Sequence, residues 1–214
     1  MQRAFNEALP SAEGRREGIV RCAAELFQVS GYHQTSMTDV ARAVGLRKPT
    51  IYHYFASKED ILMTIHLEFI EMLRSRFEDQ VARNDSAIDI LRGVMTSLLS
   101  IIETNPGHVR VFFEHVRDLS EDRIELVRES NADFRRKVAD VIRSGIDAGE
   151  LRPVDPKLAA LALFGMCNWA YQWFRSGGSH TSEEVAEAFF DFLVCGLGAS
   201  PGKPLASGRW ESGS

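Results

Sequence analysis

Cysteine is scarce in this sequence. Only Cys22, Cys167 and Cys195 occur, all far apart, and no CxxC pair exists among the 214 residues. That excludes a zinc ribbon and a dithiol redox centre. No stretch approaches the ~18 consecutive apolar residues of a spanning helix, and residues 1–14 lack the apolar core of a secretory signal. An odd cysteine count without such a signal predicts reduced thiols, a cytoplasmic location and no membrane contact. Period-2 alternation and Asn-Gly or Asp-Gly hairpin signals are missing, so strands are not expected. The chain also lacks GxSxG, HExxH, a Gly-rich phosphate loop and any His/Cys set at metal-ligand spacing. We therefore expect no catalytic residues, no metal and no cofactor. Positive charge is in deficit too: Lys plus Arg number 25 against 30 Asp plus Glu, a formal net charge of −5. Taken over the whole chain, that balance disfavours nucleic acid as a partner.

The charge is unevenly spread. Residues 1–60 hold eight Lys/Arg against seven acids, a net +1, so the remainder carries −6. The window Val40–Lys58 has Arg42, Arg47, Lys48 and Lys58 and no acid. With 44% hydrophobic and 26% charged residues, the composition is that of a folded chain rather than a disordered one.

Helical spacing recurs from end to end. Ile88, Leu91, Val94, Met95, Leu98, Ile101 and Ile102 form one helical stripe, and Ile61, Leu62, Ile65, Phe69, Leu73, Phe77 and Val81 form another. Capping-box patterns stand at Ser36–Asp39, Ser57–Asp60, Ser86–Asp89 and Thr181–Glu184, and Asp155-Pro156 is a cap followed by a first-turn proline. Gly31, Gly45, Asn105-Pro106-Gly107, Gly149 and Ser176–Ser179 supply stops. The chain is expected to be all-α, with nine helices over about 13–30, 37–44, 48–54, 58–83, 87–104, 108–118, 121–148, 156–175 and 182–198. Residues 1–57 and 58–199 form the expected domains. Residues 200–214, rich in Gly, Ser and Pro, are expected to be a disordered tail, and the first ten residues to fray.

Helices of seven or eight residues do not stand alone in water. Those at 37–44 and 48–54 make sense as a helix-turn-helix packed on the first long helix. Val40, Ala41 and Val44 form the buried face of the first, and Gly45-Leu46 the turn, where glycine takes positive φ cheaply. In the second, Ile51 and Phe55 point inward. Arg47, Lys48, Thr50, Tyr52, His53 and Tyr54 are left facing out. That mixture of cations, hydroxyls and aromatics suits phosphates and base edges in a DNA major groove. Lys58 opens the next helix, whose free N–H groups also attract phosphate. A helix-turn-helix that binds protein is the alternative.

These residues resemble the TetR family of bacterial transcriptional regulators. The likeness is carried by Ala23-Ala-Glu-Leu-Phe27, Gly31-Tyr-His-Gln-Thr-Ser-Met-Thr-Asp-Val-Ala41, Val44-Gly-Leu46, Thr50-Ile-Tyr-His-Tyr-Phe55 and Ser57-Lys-Glu59. It implies DNA contacts from Thr38, Arg47, Lys48, Thr50, Tyr52, His53, Tyr54 and Lys58. It also implies two all-helical domains, a homodimer and a double-stranded DNA operator, released when a small-molecule effector binds. Pro49 and Arg47 depart from the family's usual residues, so no operator sequence is implied.

The last two helices are apolar nearly all round, which predicts burial on every side. One face should meet the chain's own core and the other an isologous partner. Phe164, Tyr171, Phe189, Phe190, Leu193 and Leu197 are the candidate dimer residues. In TetR relatives such helices form a four-helix interface. Phe112, His115, Asn168, Trp169, Gln172 and Trp173 are the candidate pocket, in which a few polar groups converge among aromatics. Residues 168–177 are similar to a segment of TetR members that sense acyl-CoA thioesters, which implies a small hydrophobic or acyl-CoA-type effector. Arg117, Arg123, Arg128, Arg135, Arg136 and Lys137 are candidate phosphate contacts.

Overall fold

The computed structural model describes residues 12–197. Every regular element among them is helical: α1 Ala12–Ser30, α2 Met37–Ala43, α3 Lys48–Ile51, α4 Lys58–Ala82, α5 Ala87–Thr104, α6 Pro106–Glu114, a 3-10 turn Val116–Asp118, α7 Glu121–Asp147, α8 Pro156–Trp173 and α9 Ser182–Leu197. The expected all-α class and nine α-helices are found. The expectations for the first ten residues and for 200–214 lie outside the described residues.

The caps form as the sequence reads. Ser36, Ser57 and Ser86 each accept the backbone N–H three residues on. Asp155 accepts from the N–H groups of Lys157 and Leu158 at 2.8 and 3.2 Å. Thr181 and Glu184 exchange hydrogen bonds at 3.0 and 3.2 Å. Each satisfies donors that a helix start otherwise leaves unpaired.

Two elements depart from expectation. α3 stops at Ile51 rather than at residue 54; the chain continues in tightened turns, with His53 N–H donating to the Thr50 carbonyl. α6 begins at Pro106, two residues early, and ends at Glu114, before a separate 3-10 turn. Asn105-Pro106-Gly107 is therefore a joint that restarts a helix at once, since proline in the first turn loses no hydrogen bond. Gly107 serves close packing. A Cβ there would lie 3.3 Å from the Ala24 backbone carbon, so glycine lets α6 press on α1.

Apolar burial forms two clusters. The larger gathers α5 with faces of α4, α7, α8 and α9. The smaller gathers Phe27, Val40, Ile51, Phe55, Ile61 and Leu62 beneath the helix-turn-helix and also takes in Val111, Leu119 and Val127 from beyond residue 100. Fully burying each such side chain contributes about 1.5–3 kcal/mol. Val81, read as part of the α4 stripe, is 43% exposed, because the last turns of α4 run past the core.

Candidate nucleic-acid interface and internal cavity

The turn between α2 and α3 is built on Gly45 at φ +69°. Ile51 and Phe55 are buried as expected, and Met37 joins Val40 and Ala41 inward while Val44 is half-buried. Arg47, Lys48, Tyr52 and His53 are exposed, and Thr38 and Thr50 half-exposed. Arg42 is taken up by Asp39 at 3.1 Å. The side chains of Arg47 and Lys48 have no hydrogen bond or ion pair among the described residues. Tyr54, read as facing out, is half-buried and packs against the small cluster.

Lys58 also departs from the outward-facing reading. Its ammonium points back into the protein, donating to the carbonyls of Tyr32 and Thr35 at 2.6 and 2.9 Å, 4.1 Å from the centre of the Tyr32 ring. Burial pulls its pKa down, opposed by Asp118. It holds the α1–α2 loop against the start of α4 rather than facing solvent.

Around it runs a polar seam joining the reading head to the larger domain. Asp118 receives His33 Nε2 at 2.9 Å and His115 Nδ1 at 2.7 Å. Glu59 accepts the Ser120 N–H at 2.7 Å. Arg123 binds Asp60 and holds its carboxyl below the usual range. His115 therefore belongs to this seam, 5.9 Å from the Tyr32 ring, and not to the expected pocket. Asp118 draws it there at the break between α6 and the 3-10 turn.

A cavity of about 240 Å³ lies inside the larger domain. Its apolar wall includes Phe69, Leu73, Phe112, Phe113, Phe134 and Phe164, and its polar groups are Asn131, Arg135 and Asn168. Phe112 and Asn168 stand where expected. The Arg135 guanidinium has no hydrogen-bond or ion-pair partner among the described residues. Of the other five candidate phosphate contacts, Arg123, Arg128, Arg136 and Lys137 are engaged by acids, and Arg117 does not line the cavity. A wider groove of about 800 Å³ at the far end of α4, α5 and α7 is rimmed by Glu78, Asp85, Asp140 and Glu150 beside Lys137. No residue of the head or of α6 lines it, and its acidic rim disfavours an anionic ligand.

Several candidate pocket and dimer residues exchange places. Trp169 is 65% exposed and Trp173 is also exposed, so neither walls the cavity. Gln172 is half-buried, one turn beyond Asn168 and past the cavity. Conversely Phe190 and Leu193, expected at the dimer surface, are 2% and 6% exposed in the chain's own core. Phe164 lines the cavity, and Tyr171 stacks on Phe113 with ring centres 4.7 Å apart. Phe189 is half-buried near Trp173. The side chain of Leu197 lies outside the described residues. The outward faces present Leu158, Leu161, Trp169 and Trp173 on α8 and Phe192, 69% exposed, on α9.

One buried group was not singled out in the sequence. His66 on α4 is fully buried, and neither ring nitrogen has a hydrogen-bond partner among the described residues. Its ring centre lies 5.2 Å from that of Phe112. Burial, aided by His115, pushes its pKa down to about 4. Each unpaired polar group of this kind costs about 1–3 kcal/mol. Its spacing, four after Leu62 and three before Phe69, already placed it on the inward stripe.

Comparison with known proteins matches this arrangement. The family model described as bacterial regulatory proteins, tetR family, covers residues 19–65. That described as tetracyclin repressor-like, C-terminal domain, covers residues 84–197. The HTH-type transcriptional repressor KstR2 of Rhodococcus jostii (strain RHA1) is 30% identical over 190 residues, spanning 88% of this chain and 93% of that protein. The structure of the ketosteroid transcriptional regulator KstR2 of Mycobacterium tuberculosis aligns with a TM-score of 0.79 at 25% identity, covering 90% of this chain and 98% of that one. AibR, solved with isovaleryl coenzyme A and operator DNA, shares the fold at a TM-score of 0.74 and 24% identity, over 84% of this chain and 97% of that one. The helix-turn-helix and the helical domain behind it are thus those of a gene regulator and not of an enzyme, and the chain belongs to the TetR family of bacterial transcriptional regulators.

Proposed function

We propose that this chain is a homodimeric, cytoplasmic repressor that leaves a near-palindromic operator when an amphipathic effector, an acyl thioester or related acid, fills the 240 Å³ cavity. The observation that carries the DNA reading is the pair Arg47 and Lys48, exposed and unpartnered beside Tyr52 and His53, while nearby Arg42 and Lys58 are engaged within the protein. On this reading Arg47, Lys48, Thr50, Tyr52 and His53, with Thr38, meet phosphates and base edges. The KstR2 relatives, repressors by name, support repression as the outcome.

The effector reading rests on unpaired Arg135 beside Asn131 and Asn168 at an otherwise apolar cavity. An anionic or thioester head meets these groups, and a hydrocarbon body meets the phenylalanines. The separate family matches over residues 19–65 and 84–197 support a head at the front of the chain and a sensing and dimerising part behind it, joined by a shared apolar cluster that includes Ile61, Leu62, Val111 and Val127. The exposed stripe of Leu158, Leu161, Trp169 and Phe192 supports a dimer face on α8 and α9.

The test of the DNA reading is a salt titration with DNA from upstream of the chain's own gene. Each neutralised phosphate adds about −0.9 to the slope of log affinity against log salt. Lys48→Ala should weaken binding and flatten the slope by about one such step. An unchanged slope for both Lys48→Ala and Arg47→Ala would remove them from the interface.

A further inference from the structure

The cavity has a polar group stored behind its wall. His66 and Phe69 lie one turn apart on α4, and Phe69 lines the cavity. The His66 ring packs on Phe112, which also lines it, and Phe112 in turn packs on Phe69 with ring centres 4.2 Å apart. A neutral imidazole offers one N–H donor and one lone-pair acceptor. Here both nitrogens are buried without a hydrogen-bond partner among the described residues. Native proteins leave few such groups unsatisfied, and each one calls for a reason. Arg135, Asn131 and Asn168 supply the cavity's other polar groups.

We propose that His66 is a specificity-determining residue for the effector, which carries a second oxygen, a hydroxyl or ketone, at the end remote from its acidic or thioester head. The head binds Arg135 and Asn168, the hydrocarbon body lies along the phenylalanines, and the distal oxygen reaches a His66 ring nitrogen as Phe112 turns aside. A plain hydrocarbon tail leaves the imidazole unpaired and binds more weakly. Phe112 then works as a gate that registers the oxygen. This inference rests on the reading of the cavity as the effector site.

The test uses the whole purified protein and two probes, octanoate and ω-hydroxyoctanoate, titrated by calorimetry. Wild type should bind the hydroxylated acid at least about tenfold more tightly, the scale of one buried hydrogen bond. His66→Leu, which removes both unpaired nitrogens, should bind the two acids alike. If His66→Leu fails to fold, ¹⁵N-labelled histidine in wild type decides: the His66 ring resonances should move with ω-hydroxyoctanoate and not with octanoate. Equal wild-type affinities, an unmoved His66 signal, or discrimination that survives in His66→Leu would each overturn the proposal and leave the cavity reading standing. Failure of wild type to bind either acid would overturn both.

Discussion

Val111 and Phe112 are adjacent in the chain and belong to different cores. Val111 is fully buried in the cluster under the reading head, whereas Phe112 lines the cavity of the larger domain. Short helix α6 therefore carries side chains in both compartments, Val111 in one and Phe112 and Phe113 in the other. A ligand that displaces Phe112 acts on the same helix that holds Val111. Only a ligand that favours one arrangement over the other changes operator affinity, and such couplings run at about 1–3 kcal/mol.

Val111→Ala should separate binding from response. The lost packing should cost about 1–3 kcal/mol of stability. Effector affinity should hold, while the effector-induced drop in operator affinity shrinks several-fold. Operator titrations with and without effector measure this. A response equal to that of wild type would rule out α6 as the link.

Lys58→Met tests the structural role of that ammonium. Losing its bonds to the Tyr32 and Thr35 carbonyls should lower stability by about 1–3 kcal/mol. The salt dependence of operator binding should stay unchanged. A flatter salt slope with intact thermal stability would instead make Lys58 a phosphate contact.

His66 should make stability depend on pH. Its pKa is about 4 in the folded chain against an ordinary 6.5. The unfolded chain therefore takes up a proton below pH 6.5 that the folded chain refuses until about pH 4. Stability is full above pH 6.5 and falls between 6.5 and 4, by roughly 3 kcal/mol in all. Asp60, held low by Arg123, adds its loss at lower pH. Denaturation curves of wild type and His66→Leu isolate the histidine. Parallel curves across that window would refute the shift.

Trp169→Glu and Phe190→Ala should fail differently. The first places a charge on the exposed stripe of α8 and should yield folded monomers with weak operator binding. The second opens the core and should cost about 3–5 kcal/mol of stability. Sedimentation velocity and melting curves separate these outcomes. A dimeric Trp169→Glu protein would move the interface elsewhere.

Local patterns settled the helices and the reading head. Ser36, Ser57, Ser86, Asp155 and Thr181 mark helix starts because a cap bonds to N–H groups two or three residues away. Gly45 and Ile51 place the turn and the inward face for the same reason: the constraint acts within a few residues. The −5 net charge alone misled, because it averaged the cationic Val40–Lys58 window with an acidic remainder. Tertiary packing decided the rest. α8 and α9 are apolar nearly all round, so periodicity does not choose which face meets the core. Packing against α5 put Phe190 and Leu193 inside and left Trp169, Trp173 and Phe192 outside. Lys58 reads as a surface cation until the α1–α2 loop brings the Tyr32 and Thr35 carbonyls to it. The orphaned state of His66 likewise depends on what α6 lays over it. Partners distant in sequence leave no local signature, and they determine what the cavity holds and what the surface offers.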